Sequence, residues 1–501
     1  MALAGHDHDR LPVLVGAGQL VQRDVDPRQA LDPVAMMLEA TRRAAEDARI
    51  DPGKLEGLDR VLVPSIFGSH YSNAARLLAG RLGAGRAAPV YLGVGGNGPQ
   101  KALNDAARDV AAGRTDFVLL AGAEALDTRQ RAREAGVALD WSGGGAPTPA
   151  APDPAPSSPV ELRHRLMLPP FIYPLYENAL RAHLGRDLES HRRHVGALLA
   201  RFTATAAANP HAWFRTRRAP DEITLASPTN RMVAFPYTKY MNAILRVDQA
   251  AAVLLTSVGR ARALGIPPGR QVHWLGGGDA VESPWTVTER PSFHASWGMA
   301  RAYADAFAEA RLAPEDVHAF DLYSCFPSAV ALGCLTLGVA DHDPRPLTVT
   351  GGLPYAGGPG NDYTTHAIAA MLARLRSDPG AVGMTTGIGW YFSKHSAALY
   401  GTLPPMELPA AAAPDRPDPP PPVAVAAEPT GRGRLETYTV LHDREGAPEL
   451  GITVGRLEDE RRFVAFVDGG PEALVSLESS EGVRRTGRVR AEGDGNRITL
   501  D

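Results

Sequence analysis

The sequence predicts an α/β fold, a duplicated strand-and-helix body followed by a small antiparallel, OB-like β-barrel. Three observations lead there. Short apolar runs alternate with segments of helical period, and the alternation occurs twice in the same order. Two stretches, Gly143 to Pro159 and Leu408 to Pro429, are rich in Pro, Ala and Gly and carry no apolar periodicity, so neither buries enough surface to fold alone. Beyond the second stretch the pattern changes to β-rich runs broken by turns. The 501 residues exceed three times the roughly 150 that one core serves, which fits several folding units.

In chain order, Leu11 to Ala17 (LPVLVGA) reads as a buried strand, and Pro33 to Ala48 as a helix with Val34, Met37, Leu38, Ala45 and Ala48 on one face. Apolar runs at Val61 to Pro64, Val90 to Val94 and Phe117 to Gly122 alternate with helices at Asn73 to Leu82 and Pro99 to Ala112. This βαβ rhythm implies a largely parallel sheet covered on both faces. It recurs as strand Val272 to Leu275, helix Ala295 to Arg311, strand Val317 to Leu322 and helix Phe326 to Leu337. A Gly-rich segment at Gly351 to Gly360, a helix from Asp362 to Arg376 and a strand at Val382 to Ile388 complete it. Each half therefore runs strand, Gly-rich loop, helix and a strand ending in glycine, VLLAGAE in one and VGMTTGIG in the other.

The last segment, 431–501, carries β-rich runs at Leu435 to Leu441, Gly451 to Leu457, Arg462 to Phe466, Ala473 to Leu477, Gly487 to Ala491 and Ile498 to Leu500. Small barrels of this kind often bind nucleic acid. Here 11 arginines and no lysine face 14 Asp and Glu, a balance of -3, which disfavours that partner and leaves a protein-docking or structural role.

Composition narrows the function further. With 52 basic and 56 acidic side chains the formal charge is -4, against bulk electrostatic attraction to nucleic acid or anionic membrane. Only four of the 52 basic residues are lysine (Lys54, Lys101, Lys239, Lys394) and the remaining 48 are arginine, as a GC-rich genome would favour. The two cysteines, Cys325 and Cys334, exclude a disulfide framework and a zinc site built on C-x-x-C pairs, so no metal is expected. No run approaches the ~20 apolar residues of a membrane span. The first ten residues lack an apolar stretch behind a basic end, so the expected location is the cytoplasm.

Chemistry is expected first at Gly93 to Gln100 (GVGGNGPQ), which follows a strand and opens a helix with Pro99 in a favoured first position. Such a loop presents free N–H groups and the positive helix end to an anion or a developing oxyanion; close helix-to-sheet packing accounts for the glycines equally well.

The continuation, GPQKALNDAARDVAAGRTDFVLLAGAEAL, resembles the nucleophile helix of thiolases, with Gly98, Gln100, Gly113, Asp116, Gly122 and Glu124 in register. Leu11 to Gln19, Asn209 to Phe214 (NPHAWF) and Arg246 to Ser257 (RVDQAAAVLLTS) are similar to the branch containing sterol-carrier-protein thiolases and acetyl-CoA acetyltransferase-like proteins. The resemblance covers roughly residues 10 to 402. It implies two βαβαβαβ halves, 1–265 and 266–402, with a loop domain inserted at about 127–240, then a linker at 403–430 and the barrel at 431–501. It also implies an acyl-CoA ligand, no separate cofactor, a place in lipid metabolism and acyl transfer through an acyl-cysteine.

Residue by residue, the resemblance places the nucleophilic cysteine at Gly95, the activating histidine at Gly358 and the acid/base cysteine at Gly387. The family's Asn or His that orients an oxyanion-hole water corresponds to Tyr323, in Tyr323-Ser324-Cys325-Phe326. All four positions are substituted, so ordinary condensation or thiolysis is not expected. The reactive candidates that remain are His366, Tyr323, Cys325 and His395, the last beside Lys394. A core histidine and a buried apolar cysteine are the plainer readings of His366 and Cys325. Gly96, Asn97, Gly357 and Gly389 are candidate substrate contacts, and Trp213, Arg215 and Arg217 supply the aromatic and cationic groups that CoA phosphates and adenine require.

Three functions follow: an acyl-CoA-binding thiolase-like protein without the Cys/His/Cys apparatus, a cysteine-independent retro-aldol lyase on β-hydroxyacyl-CoA, or a non-catalytic interaction protein. The family's dimers leave homodimer and monomer both open, because a tethered barrel can cover the dimer surface.

Overall fold

Strand β1 (Pro12–Val21) leads into helix α1 (Pro33–Ala48), whose start is set by Asp32, the side chain of which accepts from Val34 N at 2.8 Å and Ala35 N at 3.0 Å ahead of a first-turn proline. The computed structural model describes residues 8–143, 153–405, 407–408 and 417–501. After α1 come β2 (Arg60–Val63), α2 (Ala74–Arg81), β3 (Ala88–Tyr91), α3 (Gly98–Ala111) and β4 (Phe117–Ala125). An insertion then carries α4 (Leu126–Glu134), α5 (Pro159–Arg163), α6 (Pro169–His183), α7 (Leu188–Ala208), α8 (Pro220–Thr224), β5 (Met232–Ala234) and β6 (Tyr237–Thr238) before β7 (Asp248–Ser257) closes the first half. The second half follows α9 (Val258–Ala263) with β8 (Val272–Val281), α10 (Trp297–Ala310), β9 (Ala319–Asp321), α11 (Pro327–Leu337), α12 (Tyr363–Arg376), β10 (Val382–Gly389) and β11 (Lys394–Gly401).

These strands form one nine-stranded sheet, β3-β2-β4-β7-β1-β8-β11-β10-β9. The duplication is visible in the order: β1, β2, β4 and β7 of the first half have counterparts in β8, β9, β10 and β11. The expectation of a largely parallel sheet is corrected. Helix-linked β2, β3 and β4 are parallel, as are β9 and β10, but β7 and β11 run against their neighbours on both sides. Each is the last strand of its half and slots between that half's first strand and its helix-linked strands, running opposite to both.

Alternate residues feed two cores. On β4, Phe117, Leu119 and Ala121 pack with α1, whereas Val118 and Leu120 face α3 and α12. Helices α3 and α12 share that second core with Trp274, Ala398 and Tyr400 from the other half, so they lie between the halves and bring their first turns together. No described helix is long and apolar enough to cross a membrane.

The C-terminal unit contains β12 (Gly431–His442), β13 (Pro448–Leu457), β14 (Arg462–Val467), α13 (Gly470–Ser479), β15 (Thr486–Arg490) and β16 (Arg497–Leu500). Pairing runs β13-β14-β16-β15-β12 and returns from β12 to β13, closing a five-stranded barrel with the helix between its third and fourth strands. The strand expected at Ala473 to Leu477 is instead the middle of α13. Leu474 and Leu477, three apart, face the barrel core from one side of the helix; within five residues of mixed apolar character that helical period does not stand out.

The barrel is docked. Leu441 of β12 pairs with Ala234 of β5, Thr437 Oγ1 donates to Leu175 O and Asn178 Nδ2 donates to Tyr438 O at 2.9 Å. From Pro417 the stretch preceding the barrel runs over the second half, with Val423 N donating to Glu289 O at 2.8 Å. Much of Gly143 to Pro159 and the first part of Leu408 to Pro429 lie outside the described residues.

Candidate functional site

Two loop ends meet where α3 and α12 begin. The loop after β3 reaches Gly95, whose φ of +141° suits glycine and whose N–H donates to Asn361 Oδ1 at 2.8 Å. Asn361 in turn donates from Nδ2 to Ser65 O and Oγ, both at 2.8 Å. On α12, Thr364 Oγ1 donates to Gly96 O at 2.6 Å. These bonds fasten the Gly95–Gly96 turn to the second half.

The turn is packed without spare room. A Cβ on Gly96 would collide with the Tyr323 hydroxyl, and one on Gly387 would stand 2.7 Å from Asn97 Cα. A Cβ on Gly95 would lie 2.7 Å from Asn97 Oδ1 and 3.3 Å from Lys394 Nζ, and one on Gly389 would meet the same Asn97 oxygen and Lys394 Cε. Lys394 Nζ donates to Val94 O and to Asp153 Oδ2, both at 2.6 Å, and Asp153 also accepts from Trp390 Nε1 at 2.7 Å. Asn97 Nδ2 reaches Ser396 Oγ at 3.3 Å, while its buried Oδ1 has no partner. Lys394, Asn97 and Asp153 thereby line one end of a cleft of about 620 Å³ that runs along α3 and also exposes Lys101 and Asp279.

The sequence candidates separate. Tyr323 belongs to this place: its ring meets Tyr363 edge-on at 5.6 Å, its N–H donates to Thr386 Oγ1 at 2.8 Å, and burial raises its hydroxyl pKa, keeping the O–H protonated. Cys325 is buried beside Tyr173, and burial pushes its thiol up to about 12, so no thiolate forms at neutral pH. His366 is two residues past Thr364 and points to the other side of α12, where Nδ1 contacts Gln19 Oε1 at 2.8 Å. Burial, then nearby His211, pushes its ring down to about 3. His395 alternates with Lys394 along β11; its Nε2 is 2.9 Å from Phe392 O and 3.1 Å from Ser296 Oγ.

Gly357 and Gly358 face a different segment. Gly358 N donates to Ile244 O at 2.8 Å, and a Cβ on Gly358 would lie 3.2 Å from that same oxygen, so the loop segment Ala243 to Leu245 occupies the space a side chain would use. Trp213 and Phe214 donate from their N–H groups to Ala356 O and Tyr355 O, both at 2.8 Å, which brings the aromatic and Arg-rich strap against the same loop that carries Asn361. Arg215 and Arg217 are exposed, and Arg23 lies over the Trp213 ring at 5.2 Å.

Asn361, Asp153 and Asp362 escaped the sequence reading, and Glu124 entered it only as a motif position. Asn361 and Asp153 carry no local signal, the latter being one acid in a Pro/Ala-rich stretch. The buried carboxyls Glu124 and Asp362 pack on Gly360 and Gly122, respectively. Burial lifts Glu124 to about 7 although Phe67 N and Gly68 N donate to it, and it also raises Asp362 well above the usual carboxylate range, with Glu124 nearby adding to the effect. Among the described residues no cluster of His, Cys, Asp and Glu is placed to hold a metal.

The structure of a monomeric SCP2-thiolase-like protein type 1 from Mycobacterium smegmatis is 33% identical to this chain, covers 98% of it and 99% of its own length, and superposes with a TM-score of 0.82. The chain belongs to the SCP2-thiolase-like protein type 1 family. The family's hallmark beyond the thiolase body agrees: the profile of the thiolase-like protein type 1 additional C-terminal domain matches residues 414–494. The SCP2-thiolase-like fold is shared at lower identity. The Ltp2-ChsH2(DUF35) aldolase is 16% identical over 79% of this chain and 98% of its own, with a TM-score of 0.59. The Acat5 thiolase of Ascaris suum, in complex with coenzyme A, is 15% identical over 78% of this chain and 100% of its own, with a TM-score of 0.56. No curated protein matches the sequence.

Proposed function

We propose that this SCP2-thiolase-like protein binds an acyl-CoA thioester and does not perform cysteine-dependent condensation or thiolysis. The observation that carries the reading is at Gly95: the position that the thiolase resemblance assigns to the nucleophile has no side chain, and the space above it is held by Lys394 and Asn97. A nucleophile cannot be supplied from Cys325, whose thiol is buried and protonated. Binding is supported by the likeness to a thiolase solved with coenzyme A and by the Trp213, Arg215 and Arg217 strap beside the loop that carries Asn361. Calorimetry with CoA and a long-chain acyl-CoA tests binding; no heat at millimolar ligand would favour a non-catalytic interaction protein instead. Robust thiolysis of acetoacetyl-CoA by the purified chain would refute the second half of the reading.

The protonated Tyr323 hydroxyl against Gly96 favours one catalytic alternative, cysteine-independent retro-aldol cleavage of a β-hydroxyacyl-CoA, in which that O–H donates to a substrate oxygen. Under it, Tyr323→Phe abolishes cleavage while leaving acyl-CoA affinity in place. Unchanged cleavage removes Tyr323 from the reaction.

A further inference from the structure

Lysine is rare in this chain, and of Lys54, Lys101, Lys239 and Lys394 only the last is withdrawn from solvent. Arginine and lysine differ in one chemical respect that matters here. A guanidinium keeps its proton at any pH a protein meets, whereas an ammonium can lose one and become an amine nucleophile. Lys394 opens β11 and reaches to the loop after β3, where it lines the cleft of about 620 Å³ along α3. That volume falls within the roughly 300–1,000 Å³ typical of small-molecule sites.

The amine is fixed from two sides. Nζ donates to Val94 O and to Asp153 Oδ2, both at 2.6 Å, and Asp153 is held in turn by Trp390 Nε1. The side chain keeps 15% of its surface accessible, so the third tetrahedral position on the nitrogen is the one left to the cleft. Once the ammonium gives its third proton to water, the neutral amine retains both bonds and its lone pair takes that open position. Nζ also lies 3.3 Å from where a Cβ on Gly95 would stand, so an amine fills the space in which the thiolase resemblance places a thiol. Leu62, Val90, Leu92, Ala102, Ala106 and Val281 make much of the remaining wall apolar. Its other charges are paired, Arg60 with Asp109, Lys101 with Asp105 and Asp279 with Arg108, which leaves no cation for an anionic ligand.

We propose that Lys394 is an amine nucleophile that captures, as an imine, an aldehyde or ketone with an uncharged, apolar chain entering this cleft. The nitrogen lone pair adds to the carbonyl carbon and opens the C=O bond to a carbinolamine. Asp153 takes a proton from the nitrogen and returns it to the carbinolamine oxygen, which departs as water while the C=N bond forms. Two hydrogens leave the nitrogen and both end on the departing oxygen, so the step balances without oxidant, reductant or cofactor. The site does not depend on acyl-CoA binding.

The test incubates the full chain at neutral pH with butanal and cyanoborohydride, which reduces an imine to a stable secondary amine, and locates butylated lysines by peptide mass spectrometry. Exposed Lys54 and Lys239 serve as internal references. Lys394 is expected to be butylated at least about tenfold faster than either. Its rate relative to the references should fall at least about fivefold with glyoxylate, whose carboxylate finds no free cation in the cleft. Without reductant, butanal should raise the melting temperature of the native chain but not of Lys394→Arg, which keeps the charge and cannot form an imine. Labelling of native Lys394 no faster than the references overturns the proposal whether or not that variant folds. An undiminished relative rate with glyoxylate, or a butanal shift retained in full by folded Lys394→Arg, overturns it as well.

Discussion

At the scale of single residues, Gly96 and Tyr323 share one volume. Adding a methyl group at Gly96 forces either the Tyr323 ring or the turn fixed by Thr364 to move. Gly96→Ala should therefore cost about 1–3 kcal/mol, the usual range for overpacking. Truncating the ring relieves the clash, so Gly96→Ala in a Tyr323→Ala background should cost much less than in the native protein. Additive losses in urea unfolding would show that the two do not share that space. The buried carboxyl of Glu124 sets a pH dependence. Its folded-state pKa, about 7, lies above the ordinary 4.5. The protonated form is thus the one that suits the fold, and its contribution is complete below about pH 4.5 and lost as pH rises through 7. The loss amounts to about 3 kcal/mol for this group. Glu124→Gln should flatten the fall in melting temperature between those limits, and an unchanged slope would remove Glu124 as its source. Asp362, raised by the same burial, adds in the same direction.

At the scale of elements, the barrel is tied to the body by strand β14 as much as by the β5 pairing. Arg462 begins β14 and is fully buried; it donates to Glu436 at 2.6 Å, to Thr288 O at 2.8 Å and to Arg290 O at 2.5 Å, with Phe293 beneath it at 4.9 Å. Arg462→Met keeps the bulk but leaves Glu436 with Arg456 as its only cation and takes the donor from two buried carbonyls, a loss of about 2–3 kcal/mol. Chemical denaturation reads it, and a change below about 1 kcal/mol would place the docking energy elsewhere. Local signals marked most elements correctly. Apolar periodicity placed α1 at Pro33 to Ala48, and the βα rhythm located β2 and α3 to within one residue at each end and β4 at its start, three residues short at its end. Helix α13 escaped because its apolar residues fall in a window too short to show a period.

At the scale of the whole molecule, insertion, second half and barrel share one hydrophobic core. Leu441, Ile452, Val454 and Phe466 of the barrel cluster with Tyr173, Leu175 and Tyr176 of α6 and with Phe293 and Phe326 of the second half. Continuity of that core predicts a single calorimetric unfolding transition, with removal of residues 431–501 leaving an insoluble or molten body because the α6 face loses its cover. Two well-separated transitions in the intact chain would overturn this. The antiparallel placement of β7 and β11 belongs to the same scale, since nothing along either strand reports which gap of the sheet it will enter.

The sequence alone determined that glycine stands where the thiolase resemblance calls for a nucleophile, a histidine and a second cysteine, because residue identity is independent of how the chain packs. It likewise determined a duplicated α/β body and a β-rich tail, because helical and extended periods are local. What occupies the space over Gly95 was decided only by tertiary structure. Lys394 arrives there from 300 residues away along the chain, held by Val94 O and an aspartate from an insertion without periodicity. The side chains of Lys394 and His395 alternate to opposite faces of β11, and which face meets the Gly95 turn depends on the register of the whole sheet, which no local pattern records.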